Sequence, residues 1–134
     1  MKKNILVVDD TPANLDVMKG ILSEDYNVTV VLSVSQMLES VVRKKPDLIL
    51  SDIMMPVCDG FEGIKGLRSL PGMEYIPVIF VSAKDDTETE VKAFELGAED
   101  YIRKPVSPPV VKARVARTMS RPVINPDYQP TRLF

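Results

Sequence analysis

Five side chains able to do polar chemistry stand close behind apolar runs of the chain. Asp9 and Asp10 follow ILVV (5–8), Asp52 follows LIL (48–50) and Ser51, Ser82 follows VIFV (78–81), and Lys104 comes soon after YI (101–102). Taken singly, each has an ordinary use: an aspartate caps a helix or shapes a turn, a serine enters a helix, a lysine is solvated. Taken together they imply more. Two carboxylates about 4 Å apart repel by roughly 4 kcal/mol at an effective dielectric of 20, so a chain that gathers three needs a cation or a proton among them. Oxygen donors on a partly hydrated rim suit Mg²⁺ (or Mn²⁺). A dication there eases the approach of a phosphoryl dianion, Lys104 adds positive charge, and Ser82 offers a hydroxyl donor. These parts describe an aspartyl-phosphate site, with a carboxylate nucleophile, a metal, an amine and a hydroxyl.

The apolar runs that carry these groups, with VTVV (28–31), read as five strands rich in Val and Ile. Most are continuous rather than alternating, as for strands covered on both faces. Helical spacing lies between them: Leu15, Met18, Ile21 and Leu22; Met37, Leu38, Val41 and Val42; Phe61, Ile64, Leu67 and Arg68 with Leu70; Val91, Phe94 and Leu96; Val110, Val111, Val115 and Met119. Thr11-Pro12 and Ser107-Pro108 read as N-caps with proline in the first turn. Asp85 with Glu88 has capping-box spacing, and Gly97 reads as a C-cap. Five β-then-α units imply a doubly wound α/β fold, (βα)5 and flavodoxin-like, with a five-stranded parallel sheet and helices on both faces. Ligands of such sheets bind outside the carboxyl ends of the strands, where the five polar residues stand.

A length of 134 residues fits one domain, and 45% apolar with 27% charged residues is ordinary for a globular chain. The net charge of −2 gives no polyanion-binding surface, and direct nucleic-acid or membrane binding is not expected. No apolar run approaches the ~20 residues that span a bilayer. The opening MKKNILVVDDTP loses its apolar run at Asp9, too early for a signal peptide. With one cysteine, Cys58, no internal disulfide is possible; a cytoplasmic setting is expected. A redox role for Cys58 competes with a plain loop cysteine. With no histidine in the sequence, histidine metal sites, bases and phosphohistidine relays within it are excluded. Residues 120–134, SRPVINPDYQPTRLF, carry three prolines and read as an extended tail or the start of a linker to an output domain, leaving 1–119 as the domain.

VVDDTPAN (7–14), SDIMMPVCDG (51–60), VIFVSA (78–83) and GAEDYIRKP (97–105) closely resemble, in order and spacing, the receiver domain of two-component response regulators, the CheY-like superfamily. The resemblance covers roughly residues 3–119. It implies a phosphoacceptor signalling switch that catalyses only its own phosphorylation and dephosphorylation. Asp52 would take a phosphoryl group from a phosphohistidine on a sensor histidine kinase or a histidine phosphotransfer protein. Asp10, Asp52 and the Met54 backbone carbonyl would hold the metal, with Asp9 acting through metal-bound water. Lys104 would pair with the phosphoryl group, Ser82 would move to bond it, and Ala83 would leave room and give a backbone N–H. Tyr101 matches an aromatic switch whose ring turns inward once Ser82 has moved. The Lys104–Pro105 bond is expected to be cis.

The segment from Leu32 to Ser40 departs from the family by lacking an acidic, Gly-and-Ala-rich stretch, which concerns packing more than chemistry. A pseudo-receiver that works without phosphorylation is the alternative, opposed by the complete set of acids, hydroxyl and lysine. A haloacid dehalogenase-type phosphohydrolase would need a carboxylate where Thr11 stands. A flavin phosphate would be repelled by Asp9 and Asp10. The resemblance also implies a homodimer face built from the fourth helix, fifth strand and fifth helix. Its acidic members are Asp85, Asp86, Glu88, Glu90 and Glu95; its basic members are Arg103, Lys112, Arg114 and Arg117.

Overall fold

A computed structural model describes residues 1–84 and 86–121. The strands are β1 (Asn4–Val8), β2 (Asn27–Val31), β3 (Leu48–Ser51), β4 (Val78–Ser82) and β5 (Asp100–Arg103). The helices are α1 (Pro12–Leu22), α2 (Val34–Arg43), α3 (Gly60–Ser69), α4 (Thr87–Glu95) and α5 (Pro108–Met119). All neighbouring strands pair in parallel, in the order β2-β1-β3-β4-β5. The doubly wound α/β architecture is the one the alternation of elements implies. The chain winds outward from β1 to β2 and then crosses back to β3, so the order reverses between β1 and β3. That reversal opens a crevice at the carboxyl ends of those two strands.

Strand parity divides the core. Ile5 and Val7 face one side, where α1 and α5 supply Leu15, Leu22, Val111 and Val115. Leu6 and Val8 face the other, where α2 and α3 supply Met37, Val41, Ile64 and Leu67. β3 and β4 are buried along their whole length, whereas β2, at the edge, is half-exposed. Among the described residues, no helix is long and apolar enough to cross a membrane.

Some local expectations hold and others are corrected. Thr11 and Ser107 occupy N-cap positions before proline, but neither side chain makes a cap bond. Proline at the first helical position removes one of the N–H groups that need a partner. α4 is capped by Asp86, which accepts from the Thr89 N–H at 2.7 Å; Asp85 lies outside the described residues. The residue α4 buries is Ala93, with Leu96 packed beside it, while Val91 and Phe94 are exposed. Val42 and Val110 are exposed too. Gly97 does have the left-handed backbone of a helix stop, at φ +95°. The proline-bearing tail, from residue 122 onward, falls outside the described residues.

Val57 carries local strain. Its φ is +71°, a left-handed value that a β-branched side chain disfavours, and its side chain is fully exposed, so packing does not compensate. Val57→Gly is expected to stabilise the fold by roughly 1 kcal/mol, the relieved strain outweighing the added freedom of the unfolded chain. A higher urea midpoint with an unchanged slope checks this; a lower midpoint refutes it.

Candidate functional site

Register brings the carboxylates together. Val8 of β1 pairs with Ser51 of β3, so the next residues, Asp9 and Asp52, leave the sheet side by side. The Asp52 N–H donates to the Val8 carbonyl at 2.9 Å, extending the ladder by one rung. On the other flank, Ser82 of β4 pairs with Arg103 of β5, and the Lys104 N–H donates to the Ser82 carbonyl at 2.9 Å. Lys104 then reaches across the end of β4 towards β1 and β3.

Its ammonium donates to Asp9 Oδ2 at 2.8 Å and to Asp52 Oδ2 at 3.3 Å. Asp9 and Asp52 are buried while Asp10 is exposed. Each of the three aspartates offers a carboxylate oxygen, and these atoms lie within 4.8 Å of one another. All the donors are oxygens, and one stands at the solvent edge. The set fits a hard dication that keeps part of its water shell.

The remaining bonds hold the two buried acids in place. Asp9 Oδ1 accepts from the Thr11 N–H at 2.9 Å, and its Oδ2 from the Asn14 amide at 3.2 Å. Asp52 Oδ1 accepts from the Ile53 N–H at 2.8 Å. Burial pushes the Asp52 carboxyl above the usual aspartate range, and the Asp9 charge adds to this; Lys104 and the Ile53 N–H pull against them without cancelling the rise. For Lys104, burial acts downward, but the hydrogen bond to Asp9 and the charges of Asp52 and Asp9 prevail and raise it above the usual lysine value. Lys104 therefore stays charged at neutral pH.

Ser82 stands at the end of β4, fully buried, and its Oγ accepts from the Lys84 N–H at 3.2 Å rather than touching the carboxylates. The ring of Tyr101 is already inward and buried, and its hydroxyl donates to the Lys84 carbonyl at 2.6 Å. Burial pushes that hydroxyl above the usual tyrosine value, against a hydrogen bond with Ser82. Ala83 lines the same cavity as Asp9, Asp52 and Lys104, about 480 Å³ in volume. Met54 turns its side chain outward, and the Lys104–Pro105 bond is cis. Cys58 is half-buried beyond the site, and burial, with Glu62 and Asp59 nearby, pushes its thiol above the usual range. A raised thiol holds little reactive thiolate, which favours the plain loop cysteine.

Sequence reasoning did not assign four residues to the site. Asn14 braces Asp9, and its signal was a polar residue one turn into a helix whose start already held the acids. Val17 and Met18 of α1 and Val106 wall the cavity on its apolar side. The helix period marks Met18 as inward-facing, but not that it borders a cavity.

Known proteins resemble this chain in sequence and in fold. The chain is 43% identical over 111 residues to a probable cyclic di-GMP phosphodiesterase of Vibrio cholerae, a match covering 83% of this chain and 25% of that protein. The chain spans about half or less of the curated relatives it matches first. A putative response regulator of Chloroflexus aurantiacus superposes with a TM-score of 0.85 at 27% identity, covering 90% of this chain and 100% of that one. The receiver domain of a Pseudomonas aeruginosa sensor histidine kinase, described with a magnesium ion coordinated in its active-site cleft, superposes with a TM-score of 0.82 at 27% identity, covering 90% of this chain and 100% of that one. The family model of the response regulator receiver domain matches residues 5–116. With its acids, lysine and hydroxyl at the ends of the strands where that fold gathers its ligands, the chain belongs to the receiver domains of two-component response regulators.

Proposed function

We propose that Asp52 is the phosphoacceptor of this receiver, taking a phosphoryl group from a phosphohistidine of a sensor histidine kinase or histidine phosphotransfer protein. The observation that carries the reading is the Lys104 ammonium held between Asp9 and Asp52, with Asp10 beside them. Asp10, Asp52 and the Met54 carbonyl would hold Mg²⁺, with Asp9 reaching it through water. When bound, the ion neutralises the carboxylates and the charge that develops on the phosphoryl oxygens.

The chain's own residues do the rest. An Asp52 oxygen attacks phosphorus; the phosphorus–oxygen bond forms as the phosphorus–nitrogen bond breaks, and the ring, carrying a proton on its other nitrogen, departs as neutral imidazole. Lys104 swings from the carboxylates to the incoming phosphoryl group, a counter-charge already in place before the reaction. Ser82 gives up its Lys84 N–H and donates to a phosphoryl oxygen, while Ala83 adds a backbone N–H. That movement pulls on the Lys84 segment, to which the Tyr101 hydroxyl is bonded, and so biases α4. The pseudo-receiver alternative has no observation in its favour, since no member of the acid, lysine and hydroxyl set is missing.

Acetyl phosphate tests the reading without a kinase. With Mg²⁺ present, the intact mass is expected to rise by one phosphoryl group, and removal of the metal or Asp52→Asn is expected to abolish the gain. Uptake persisting in Asp52→Asn would refute Asp52.

The α4–β5–α5 face is the proposed readout surface, either as a homodimer or towards a downstream partner. Much of its charge is paired within the chain: Arg103 bonds Glu90 at 2.9 Å, and Arg114 and Arg117 both bond the buried Asp100. A dimer would have to exchange some of these pairs between copies, which favours a contact that forms only when the switch shifts. Sedimentation with and without beryllofluoride is expected to show association only with it; no shift rules out the dimer.

A further inference from the structure

The peptide that follows the Asp52 side chain is gripped from two sides by residues that carry neither charge nor metal-binding groups. Ser51, the buried last residue of β3, donates its hydroxyl to the Asp52 carbonyl at 2.9 Å. Gly60, the first residue of α3, approaches the same carbonyl from the other side. A Cβ at position 60 would lie 2.2 Å from the Asp52 oxygen and 3.0 Å from the Ile53 Cα. Even close C···O contacts keep to about 3.3 Å, so a side chain cannot fit there. Gly60 is not among the positive-φ residues, so close approach, not conformational freedom, is what requires glycine.

The helix start is pinned in this position. The Gly60 N–H donates to the Ile53 carbonyl at 2.9 Å, and Asp59 with Glu62 forms a reciprocal capping box around it. α3 therefore cannot easily back away from Asp52. The consequence reaches the carboxylate through peptide planarity. The Asp52 C=O and the Ile53 N–H belong to one rigid plane, and that N–H holds Asp52 Oδ1 at 2.8 Å. Turning the carbonyl turns the donor that aims the carboxylate.

We propose that Gly60 and Ser51 are positioning residues for Asp52, gripping its carbonyl so that the Ile53 N–H directs the carboxylate towards Lys104 and the incoming phosphorus. This rests on Asp52 being the phosphoacceptor. Gly60→Ala drives the new methyl against the Asp52 oxygen, rotates the peptide and misdirects the carboxylate. Gly66→Ala adds the same methyl to the same helix, but meets only the Leu38 side chain at 3.5 Å, an ordinary contact.

The test uses two readouts. In metal-free protein, the Ile53 amide proton resonance reports its bond to Asp52; it is expected to move upfield in Gly60→Ala and Ser51→Ala and to stay put in Gly66→Ala. With acetyl phosphate and Mg²⁺, the uptake rate is expected to fall about tenfold or more in Gly60→Ala, in line with small misplacements of reacting groups. Ser51→Ala, which loses only a hydroxyl, is expected to fall less, and Gly66→Ala to match the parent. A folded Gly60→Ala with the parent resonance and rate overturns the proposal. If Gly60→Ala does not fold, Ser51→Ala decides, and parent values for both readouts overturn it equally. Asp52→Asn separates the two readings: uptake in that variant defeats the phosphoacceptor assignment, whereas its loss beside parent-like Gly60→Ala and Ser51→Ala defeats only the positioning role.

Discussion

Asp52→Asn is expected to abolish phosphoryl uptake and, in metal-free buffer, to make the protein more stable. Burial first, and the Asp9 charge next, raise the Asp52 carboxyl above its unfolded value. The folded state therefore holds the proton more tightly than the unfolded chain. The sign follows from linkage: as pH rises from the ordinary aspartate range through the raised folded value, the unfolded chain loses its proton first and stability falls. At neutral pH the ionised Asp52 is a net burden on the fold. Asparagine keeps the shape and removes the charge, although it forfeits the 3.3 Å contact with Lys104. The gain is expected to be about 1 kcal/mol, or roughly 4 °C in melting temperature. Mg²⁺ should close the gap, because it stabilises the parent by binding the folded state and has a poorer ligand set in the variant. Thermal melts with and without Mg²⁺ check this, and a variant less stable than the parent in metal-free buffer would contradict it.

Lys104→Met is the opposite case. The ammonium lies 2.8 Å from Asp9 and 3.3 Å from Asp52, and both carboxylates are more than nine-tenths buried. Methionine matches the length of the stem and removes the charge, leaving two buried acids facing each other. Breaking a buried ion pair by removing one partner destabilises by about 3 kcal/mol. The loss should be largest at neutral pH without metal and shrink on acidification, as the carboxylates take up protons. In the parent, the raised Lys104 value means its contribution is fully present below the ordinary lysine range and lost only as pH climbs through the folded value above it. Phosphoryl uptake should fall by about a hundredfold or more, since a preorganised charge is lost where negative charge is handled. Asp52→Asn placed on Lys104→Met should recover stability, because the pair are coupled neighbours. Urea melts of the four proteins form the cycle, and strict additivity would show that Lys104 and Asp52 do not interact.

Both effects trace to one feature of the fold: β1 and β3 end in the same register, on either side of the point where strand order reverses. The acids could be read in the sequence because the fold leaves little choice about where they go. ILVV and LIL are too apolar to lie anywhere but in the sheet, and a parallel sheet with helices on both faces sends the residue after each strand to one edge. The helix ends were less legible. Thr11 and Ser107 have the right type for caps yet make no cap bond, and α4 uses Asp86. Such choices turn on one backbone dihedral, which composition does not specify. The exposed Val91 and Phe94 were equally hidden, since helical period marks a face without saying which neighbour covers it.

The amino-acid sequence by itself determined the fold class and the sheet edge at which Asp9, Asp10, Asp52, Ser82 and Lys104 stand, because side-chain period and strand order follow from local pattern. Only the tertiary structure decided that Lys104 divides itself between Asp9 and Asp52, that Asn14 braces Asp9, and that Gly60 stands against the Asp52 carbonyl. Lys104 is 95 and 52 residues from its two partners, while Asn14 is five from Asp9 and Gly60 eight from Asp52, each pair meeting across a strand-to-helix connection. Their distances depend on how helices seat on the sheet to within a fraction of an ångström, and packing alone sets that.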